Sequence, residues 1–177
     1  TVIRLKELVP PSIQESINDK NLFKAIFMAG GPGSGKSFIG IEMFGNEFFG
    51  AKVVSSDEIF EHFLRKENLP FVIEPGSADY EKQMQQRDKA KQLTKTRMAT
   101  YIDGMLPLLI DGTGKDFDKI ARSATTLREI GYDTDMVFVN TSLDVAMERN
   151  RQRQRKLAYP IVKKMWDSVQ SNIGKFQ

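Results

Sequence analysis

Hydrophobic and polar positions follow two kinds of pattern that alternate along the chain. Short apolar runs of strand length occupy residues 24–29, 106–111 and 134–140, and a shorter run ends near Ser55. Between them, apolar residues recur three and four positions apart, which is the spacing of one helix face. Strands that alternate with helices predict an α/β fold, with a parallel sheet and helices on both faces.

Capping residues and helix breakers mark where several of the predicted helices begin. Residues 55–58 and 141–144 have the spacing of a capping box, with a hydroxyl three residues before an acid. A long helix is predicted over residues 80–105 and a last one from Pro160 onward. Residues 1–23 are expected to be an N-terminal extension with a short helix that begins at two prolines. Residues 24–177 are then one domain.

A glycine-rich loop, MAGGPGSGKS, follows the first apolar run and precedes a helical pattern. It matches G-x-x-x-x-G-K-[ST], the loop whose backbone N–H groups cradle phosphates at a helix N-terminus. A plain glycine-rich turn would leave the Lys-Ser pair and the preceding strand as coincidences. ATP is therefore the expected ligand, with these residues expected to bind it: Gly31, Pro32, Gly33, Ser34, Gly35, Lys36, Ser37 and Phe38.

Two acidic residues follow other predicted strands, at the sheet edge where such folds bind ligands. Asp57 lies in the first turn of a helix, where it could orient and deprotonate an acceptor hydroxyl or merely complement the helix N-terminus. Asp111 ends the run Leu108–Ile110, as a Walker B carboxylate does, although an Asp-Gly turn would look the same. With Ser37, Asp111 is the expected ligand of Mg²⁺.

The net charge of +3 is concentrated in one segment, RNRQRQRK, at residues 149–156. The segment has five basic residues and no acidic one, so the rest of the chain has a slightly negative net charge. If the segment is helical, Arg149 and Arg153 share one face, and Arg151 and Arg155 share nearly the opposite one. The first pair is expected to form a lid over transferring phosphates. The alternative is a solvated charged helix.

Composition narrows the classes of protein further. The chain has no cysteine, which excludes disulfides and thiolate metal sites. It has no apolar run near the ~20 residues of a membrane span, so no membrane partner is expected. The first residues lack a signal-peptide core, which favours a cytoplasmic protein. The oligomeric state is left open.

Several stretches resemble the small P-loop kinases that include the phage-type polynucleotide 5′-kinases and the zeta toxins. The loop GGPGSGKS matches both groups, and VVSSDEIF is similar to the segment that holds their catalytic aspartate, which implies that Asp57 is the general base. Residues 108–139 resemble the zeta-toxin EGT strand and the helix and strand after it, with Asp111 in place of Glu. The resemblance implies a three-layer P-loop kinase fold from about residue 24 onward.

The C-terminal third resembles the polynucleotide kinases more closely, with two departures. In residues 147–169 the two lid arginines of those kinases fall on Arg149 and Arg153, before a helix that a proline starts. Phe60 stands where those kinases have an arginine that grips a substrate phosphate. The final strand of such kinases has no counterpart, and the expectation is a truncated chain or a sheet completed by a partner or by a preceding segment.

Together these observations predict an ATP- and Mg²⁺-dependent phosphotransferase with a hydroxyl acceptor. In this interpretation Lys36 holds the phosphates, Asp57 activates the acceptor, and Arg149 and Arg153 offset charge in the transition state. A nucleic-acid 5′-hydroxyl, a nucleotide sugar or another small hydroxyl compound all fit as acceptors. The alternative is an ATP-binding module that acts as an ATPase switch or as part of an assembly.

Overall fold

The computed structural model describes the backbone of residues 23–44 and 51–176 and the side chains of residues 23–40 and 51–176. This part of the chain contains four strands: β1 (Lys24–Ala29), β2 (Lys52–Val54), β3 (Leu108–Asp111) and β4 (Asp133–Phe138). They form one parallel sheet in the order β2-β3-β1-β4. Both inner strands are mainly apolar, and β1 pairs with β3 on one side and β4 on the other.

Helices connect these strands and cover the sheet, as the alternating pattern predicts. The long helix predicted over residues 80–105 is confirmed with slightly narrower bounds, and the last helix begins one residue before Pro160. A short 3₁₀ helix, Ile173–Lys175, follows it. The helices are α1 (Lys36–Phe44), α2 (Asp57–Lys66), α3 (Tyr80–Asp103), α4 (Phe117–Glu129), α5 (Leu143–Gln152) and α6 (Tyr159–Gln170).

The two predicted capping boxes are both replaced by other contacts. At the start of α2, Ser56 is the N-cap residue but makes no side-chain cap, and the Ser55 hydroxyl instead accepts a hydrogen bond from the Asp57 N–H at 3.3 Å. At the start of α5, Ser142 accepts from the Val145 N–H at 3.4 Å. At α2 the predicted hydroxyl, Ser55, is retained but bonds to a different N–H group, whereas at α5 the hydroxyl one position further along makes the cap.

The main core lies between the sheet and helices α3 and α4. Leu108 and Leu127 are fully buried there. The stripe predicted for the long helix packs against this cluster, with partly buried Met98, Tyr101 and Ile102 on α3 and Met105 just after its end. Burial of such apolar surface stabilises the fold by roughly 25 cal/mol per Å². The α3 stripe therefore fixes the long helix across the sheet.

A second core joins α2 to α3 beside the end of β2. Ile59, Phe60 and Leu64 of α2 are buried, and Phe60 is only 2% exposed. They pack against Ala90 of α3 and Ile73 of the loop between the two helices. Phe60 is thus a core residue, which accounts for the absence of an arginine at its position. This packing holds the first turn of α2 at the end of the sheet.

The basic segment is not one helix, contrary to the arrangement considered from its sequence. Helix α5 ends at Gln152, and Arg153 has extended backbone angles (φ −76°, ψ 150°). The buried Asn150 side chain accepts a hydrogen bond from the Leu157 N–H at 3.2 Å and donates one to the Leu157 carbonyl at 2.9 Å. This pair of contacts closes residues 151–156 into a loop, so the predicted helical faces do not exist beyond Gln152.

Three further expectations concern the termini and the membrane. The N-terminal extension and its predicted helix lie outside the described residues. After α6, residues 171–176 form no strand, and Phe176 packs against the rings of Phe117 and Phe138, with centroids 5.2 and 5.6 Å away. Among the helices of residues 23–44 and 51–176, none combines the length and the apolar character that crossing a membrane requires.

Candidate active site

A cavity of about 640 Å³ opens at the carboxyl ends of β1, β2 and β3. This volume lies in the range of small-molecule sites, and its place in the sheet is where parallel α/β folds bind ligands. Its lining includes two groups of residues. The P-loop side consists of Pro32, Lys36, Ser37, Asp111 and Arg153, and the α2 side consists of Asp57, Glu58, Glu61, Arg87 and Arg155.

The P-loop has the tight backbone that its glycines predict. Gly33 has φ +77°, a left-handed conformation that favours glycine, and a Cβ there would collide with the Ala146 carbonyl of α5. The Lys36 ammonium donates a hydrogen bond to the Gly30 carbonyl at 2.8 Å, which curls the side chain over the loop. The loop is thus wedged between β1 and α5, with Lys36 directed into the cavity.

The predicted phosphate-binding residues divide into those that line the cavity and those that shape the loop. Pro32, Lys36 and Ser37 line it. The Ser34 hydroxyl is buried and has no hydrogen-bond partner among the described residues. A buried polar atom without a partner is costly, and Ser34 is not among the residues that line the cavity. Phe38 is 65% exposed and is not part of the cavity lining.

Arg149 and Arg153 occupy different places. The Arg149 guanidinium donates hydrogen bonds to the carbonyls of Ser34 at 2.8 Å and Gly33 at 3.3 Å, so it braces the outside of the P-loop. Arg153 lies in the cavity lining, and Arg149 does not. The predicted catalytic role of both residues stays a prediction, and the structure brings only Arg153 to the cavity itself.

Burial opposes the charges of Lys36 and Asp111. Desolvation lowers the pKa of Lys36, and the nearby Arg153 lowers it further, while the attraction of Asp111 and Asp57 raises it. Desolvation also raises the pKa of Asp111, with a further rise from Asp57, against the attraction of Lys36 and the Ser55 hydroxyl at 3.4 Å. A partly buried cation and anion that share one cavity are typical of functional sites.

The oxygen atoms of the P-loop side fit a magnesium ion. Ser37 offers a hydroxyl and Asp111 a carboxylate, both hard ligands of the kind that Mg²⁺ prefers. No cluster of three or more His, Cys, Asp or Glu side chains that could hold a metal occurs among the described residues. Mg²⁺ at phosphate sites needs only one or two protein ligands, because the nucleotide and water supply the rest.

Asp57 reaches the cavity as the sequence predicts, but it has an ion-pair partner that the sequence did not indicate. Its Oδ2 lies 2.7 Å from Nη2 of Arg155, and Nε of the same guanidinium donates to Oε1 of Glu61 at 3.1 Å. The Arg155 side chain is only 11% exposed. The arrangement in which Arg151 and Arg155 share one helix face therefore does not occur, because the chain leaves the helix at Gln152.

Sequence reasoning missed Arg155 and Glu61, which line the cavity, and Asn150, which closes the loop that carries Arg155. Asp57 and Glu61 are four residues apart on α2, so their shared face was a readable signal for an acidic pair. The sequence spacing does not indicate that Arg155 reaches that face. Its position depends on the loop that Asn150 closes through contacts with Leu157.

Comparisons with known proteins agree with this architecture. The sequence model described as AAA domain matches residues 26–174, which is most of the chain. No curated protein matches the chain significantly in sequence.

Solved structures share the fold at low identity. The Pnkp1/Rnl/Hen1 RNA repair complex has a TM-score of 0.64 at 15% identity and covers 95% of this chain. The structure of AvrRxo1-ORF1:-ORF2 with ATP has a TM-score of 0.70 at 14% identity and covers 91% of this chain. The PezAT toxin–antitoxin system of Streptococcus pneumoniae has a TM-score of 0.61 at 17% identity and covers 86% of this chain. This chain spans 49%, 52% and 63% of the respective chains, so it corresponds to only part of each.

Proposed function

This chain belongs to the AAA-domain family, and from the geometry of its cavity we propose that it is a phosphotransferase that moves the γ-phosphoryl group of ATP to a hydroxyl acceptor, with Mg²⁺ as cofactor. One observation carries the proposal. A single cavity holds a P-loop lysine, a carboxylate at the end of the neighbouring strand and a second carboxylate, Asp57, on the first turn of α2. A site that only bound nucleotide would not require Asp57 there.

The chemistry follows from the two sides of the cavity. The acceptor oxygen bonds to the γ-phosphorus, the bond from that phosphorus to the β,γ-bridging oxygen breaks, and ADP leaves. Asp57 receives the hydroxyl proton. Lys36 and the P-loop N–H groups bind the phosphates, and Arg153 offsets negative charge on the transferring group. Mg²⁺, held by Ser37 and Asp111, would neutralise charge on the β- and γ-oxygens.

The acceptor classes worth testing come from the resemblances. The name of the RNA repair complex points to a 5′-hydroxyl of RNA, and the likeness to polynucleotide kinases adds a 5′-hydroxyl of DNA. The zeta-toxin resemblance and the toxin–antitoxin neighbour point to a nucleotide sugar. All three place a free hydroxyl beside an anionic group, which fits a cavity that contains both carboxylates and guanidinium groups.

An acceptor screen with γ-labelled ATP and Mg²⁺ tests the proposal. The purified chain is incubated with 5′-hydroxyl DNA, 5′-hydroxyl RNA or UDP-N-acetylglucosamine, and both labelled product and ADP are measured. Labelled product that disappears in Lys36→Ala and Asp57→Asn supports the proposal. ADP release at one rate with every acceptor, with no labelled product and no effect of Asp57→Asn, would instead support an ATPase module.

A further inference from the structure

We propose that Arg155 is a positioning residue for phosphoryl transfer, which holds the Asp57 carboxylate in the orientation that receives the acceptor proton. The inference rests on the proposed function, because it requires Asp57 to act on an acceptor hydroxyl. It concerns a residue outside the P-loop and outside the pair of arginines that the sequence marks as a lid.

The ion-pair geometry is that of a bridge across one helix face. Arg155 uses the adjacent N–H groups of one guanidinium edge, with Nη2 2.7 Å from Oδ2 of Asp57 and Nε 3.1 Å from Oε1 of Glu61. A planar fork of this kind fixes the direction of both carboxylates, which a point charge cannot do. Glu61 anchors the guanidinium one helical turn away from Asp57, so the arginine has a defined position.

Arg155 is itself held by its surroundings. Its guanidinium carbon lies 5.7 Å from the ring centroid of the buried Phe60. Its backbone belongs to the loop that Asn150 closes at Leu157, and the Ile73 N–H donates to the Lys156 carbonyl at 3.3 Å. These contacts limit the freedom of the side chain before any ligand binds. A residue that is fixed in advance can position a neighbour at little further cost in entropy.

The Asp57 carboxylate keeps the freedom that catalysis needs. Only Oδ2 contacts Arg155, while Oδ1 has no hydrogen bond from the described residues and the side chain is 57% exposed. An acceptor hydroxyl could therefore reach Oδ1 with the ion pair intact. This arrangement favours positioning over an inhibitory contact, in which the arginine would have to leave before an acceptor could bind.

Arg151 provides a matched control in the same segment. It pairs with Glu148 at 3.1 Å on its own helix, and its side chain is 71% exposed. Exposed pairs of this kind contribute little to structure. Arg151→Met and Arg155→Met remove the same charge from positions four residues apart. A difference between them therefore reports the bridge to Asp57 rather than the net charge of the segment.

The test is a double-mutant cycle measured with the best acceptor from the screen. Arg155→Met should lower kcat by about 10- to 100-fold without changing the KM for ATP, because a displaced base acts on the transfer step rather than on nucleotide binding. In an Asp57→Asn background the same substitution should cause no further loss. Arg155→Lys keeps the charge and the fold but lacks the fork, so kcat should fall to an intermediate value. Arg151→Met should match the original chain.

Thermal unfolding of each variant separates loss of fold from loss of position. The proposal is overturned if Arg155→Met leaves kcat unchanged, if it raises kcat, or if it causes the same fold-loss with and without Asp57→Asn. A loss in kcat that only accompanies unfolding, with Arg155→Lys fully active, also overturns it. If Asp57→Asn keeps full transfer, the proposed function is wrong about the general base, which is a different result.

Discussion

The two sides of the cavity are built in different ways. The P-loop side takes most of its groups from one short loop, whose backbone geometry is set by its glycines and by α5. The α2 side takes its groups from α2, α3 and the loop after α5, and side-chain ion pairs join two of these three segments. The P-loop side therefore centres on one continuous stretch of backbone, while the α2 side centres on ion pairs between residues almost 100 positions apart.

This difference has consequences for what each side can do. Backbone N–H groups bind any phosphate of suitable size, so the P-loop side is suited to the common part of the reaction, the nucleotide. Side chains from separate elements can be exchanged one at a time, so the α2 side is where acceptor preference can vary. We expect substitutions on the α2 side to impair transfer with ATP binding intact, and substitutions on the P-loop side to impair both.

The largest effect is expected from Asp57→Asn. The amide is nearly isosteric but cannot accept the proton, and general-base catalysis typically contributes ~10²–10⁴-fold to a rate. Transfer should fall by that order while ATP affinity is kept, since Asp57 lies on the α2 side. Steady-state transfer and equilibrium ATP binding measure the two quantities. Full transfer with a lower melting temperature would show that Asp57 serves the fold, through the N-terminus of α2 and its ion pair with Arg155, and not the transfer step.

A comparable loss with a different signature is expected from Lys36→Ala. Removal of a preorganised positive group from a transition state typically costs ~10²–10³-fold. Here ATP affinity should weaken as well, because Lys36 lies in the loop that binds the phosphates. The fold should be kept, since the ammonium contacts only the Gly30 carbonyl within the described residues. A Lys36→Ala variant with full turnover would refute the P-loop assignment. It would also contradict the expected difference in ATP binding between substitutions on the two sides of the cavity.

A smaller effect should distinguish Arg153 from Arg151. Arg153 lies in the cavity, whereas Arg151 pairs with Glu148 in solvent. Arg153→Gln should lower turnover by about 10- to 100-fold because its charge is lost where negative charge spreads, and Arg151→Gln should leave turnover unchanged. Both are compared by kcat at low and moderate salt. Equal small effects from both substitutions would show that Arg153, like Arg151, only belongs to a solvated charged surface.

The sequence predicts the P-loop side well because its information is local. Strand, glycine loop and helix are consecutive, and each has a pattern that works over a few residues. Asp57 and Asp111 are also found from their places after strands. The order of strands in the sheet is not in these patterns, because pairing of β1 with both β3 and β4 depends on contacts across the whole chain.

The α2 side was predicted less well for a physical reason. The end of α5 at Gln152 has no glycine or proline to mark it, and Asn150 closes the next loop by bonding to Leu157. A helical interpretation of the run therefore puts Arg155 on the same face as Arg151. The same loop brings Arg155 to Asp57, so the missed helix end and the missed ion pair have one cause.

The smallest effect concerns the free energy of unfolding without nucleotide. Burial raises the pKa of Asp111 above its ordinary value of 3.8, so the fold disfavours its charged form at neutral pH. Asp111→Asn removes that cost. Lys36 loses an attractive partner, but burial shifts the pKa of each group more than the attraction between the two groups does. The variant should melt higher, by about 2–4 °C for each kcal/mol gained in a chain of this size, and should transfer phosphate more slowly.

The pH dependence of this gain gives the sharper test. Between 3.8 and the raised folded value, folded Asp111 binds more protons than the unfolded residue, so its contribution to stability falls as pH rises through that window. The advantage of Asp111→Asn should therefore be largest at neutral pH and vanish as pH falls towards 3.8. Melting curves across this range measure it, with the exposed Glu129→Gln as the matched control. A variant less stable than the original chain at neutral pH would show that attraction between Asp111 and Lys36 outweighs their burial, and that the P-loop side stabilises the fold.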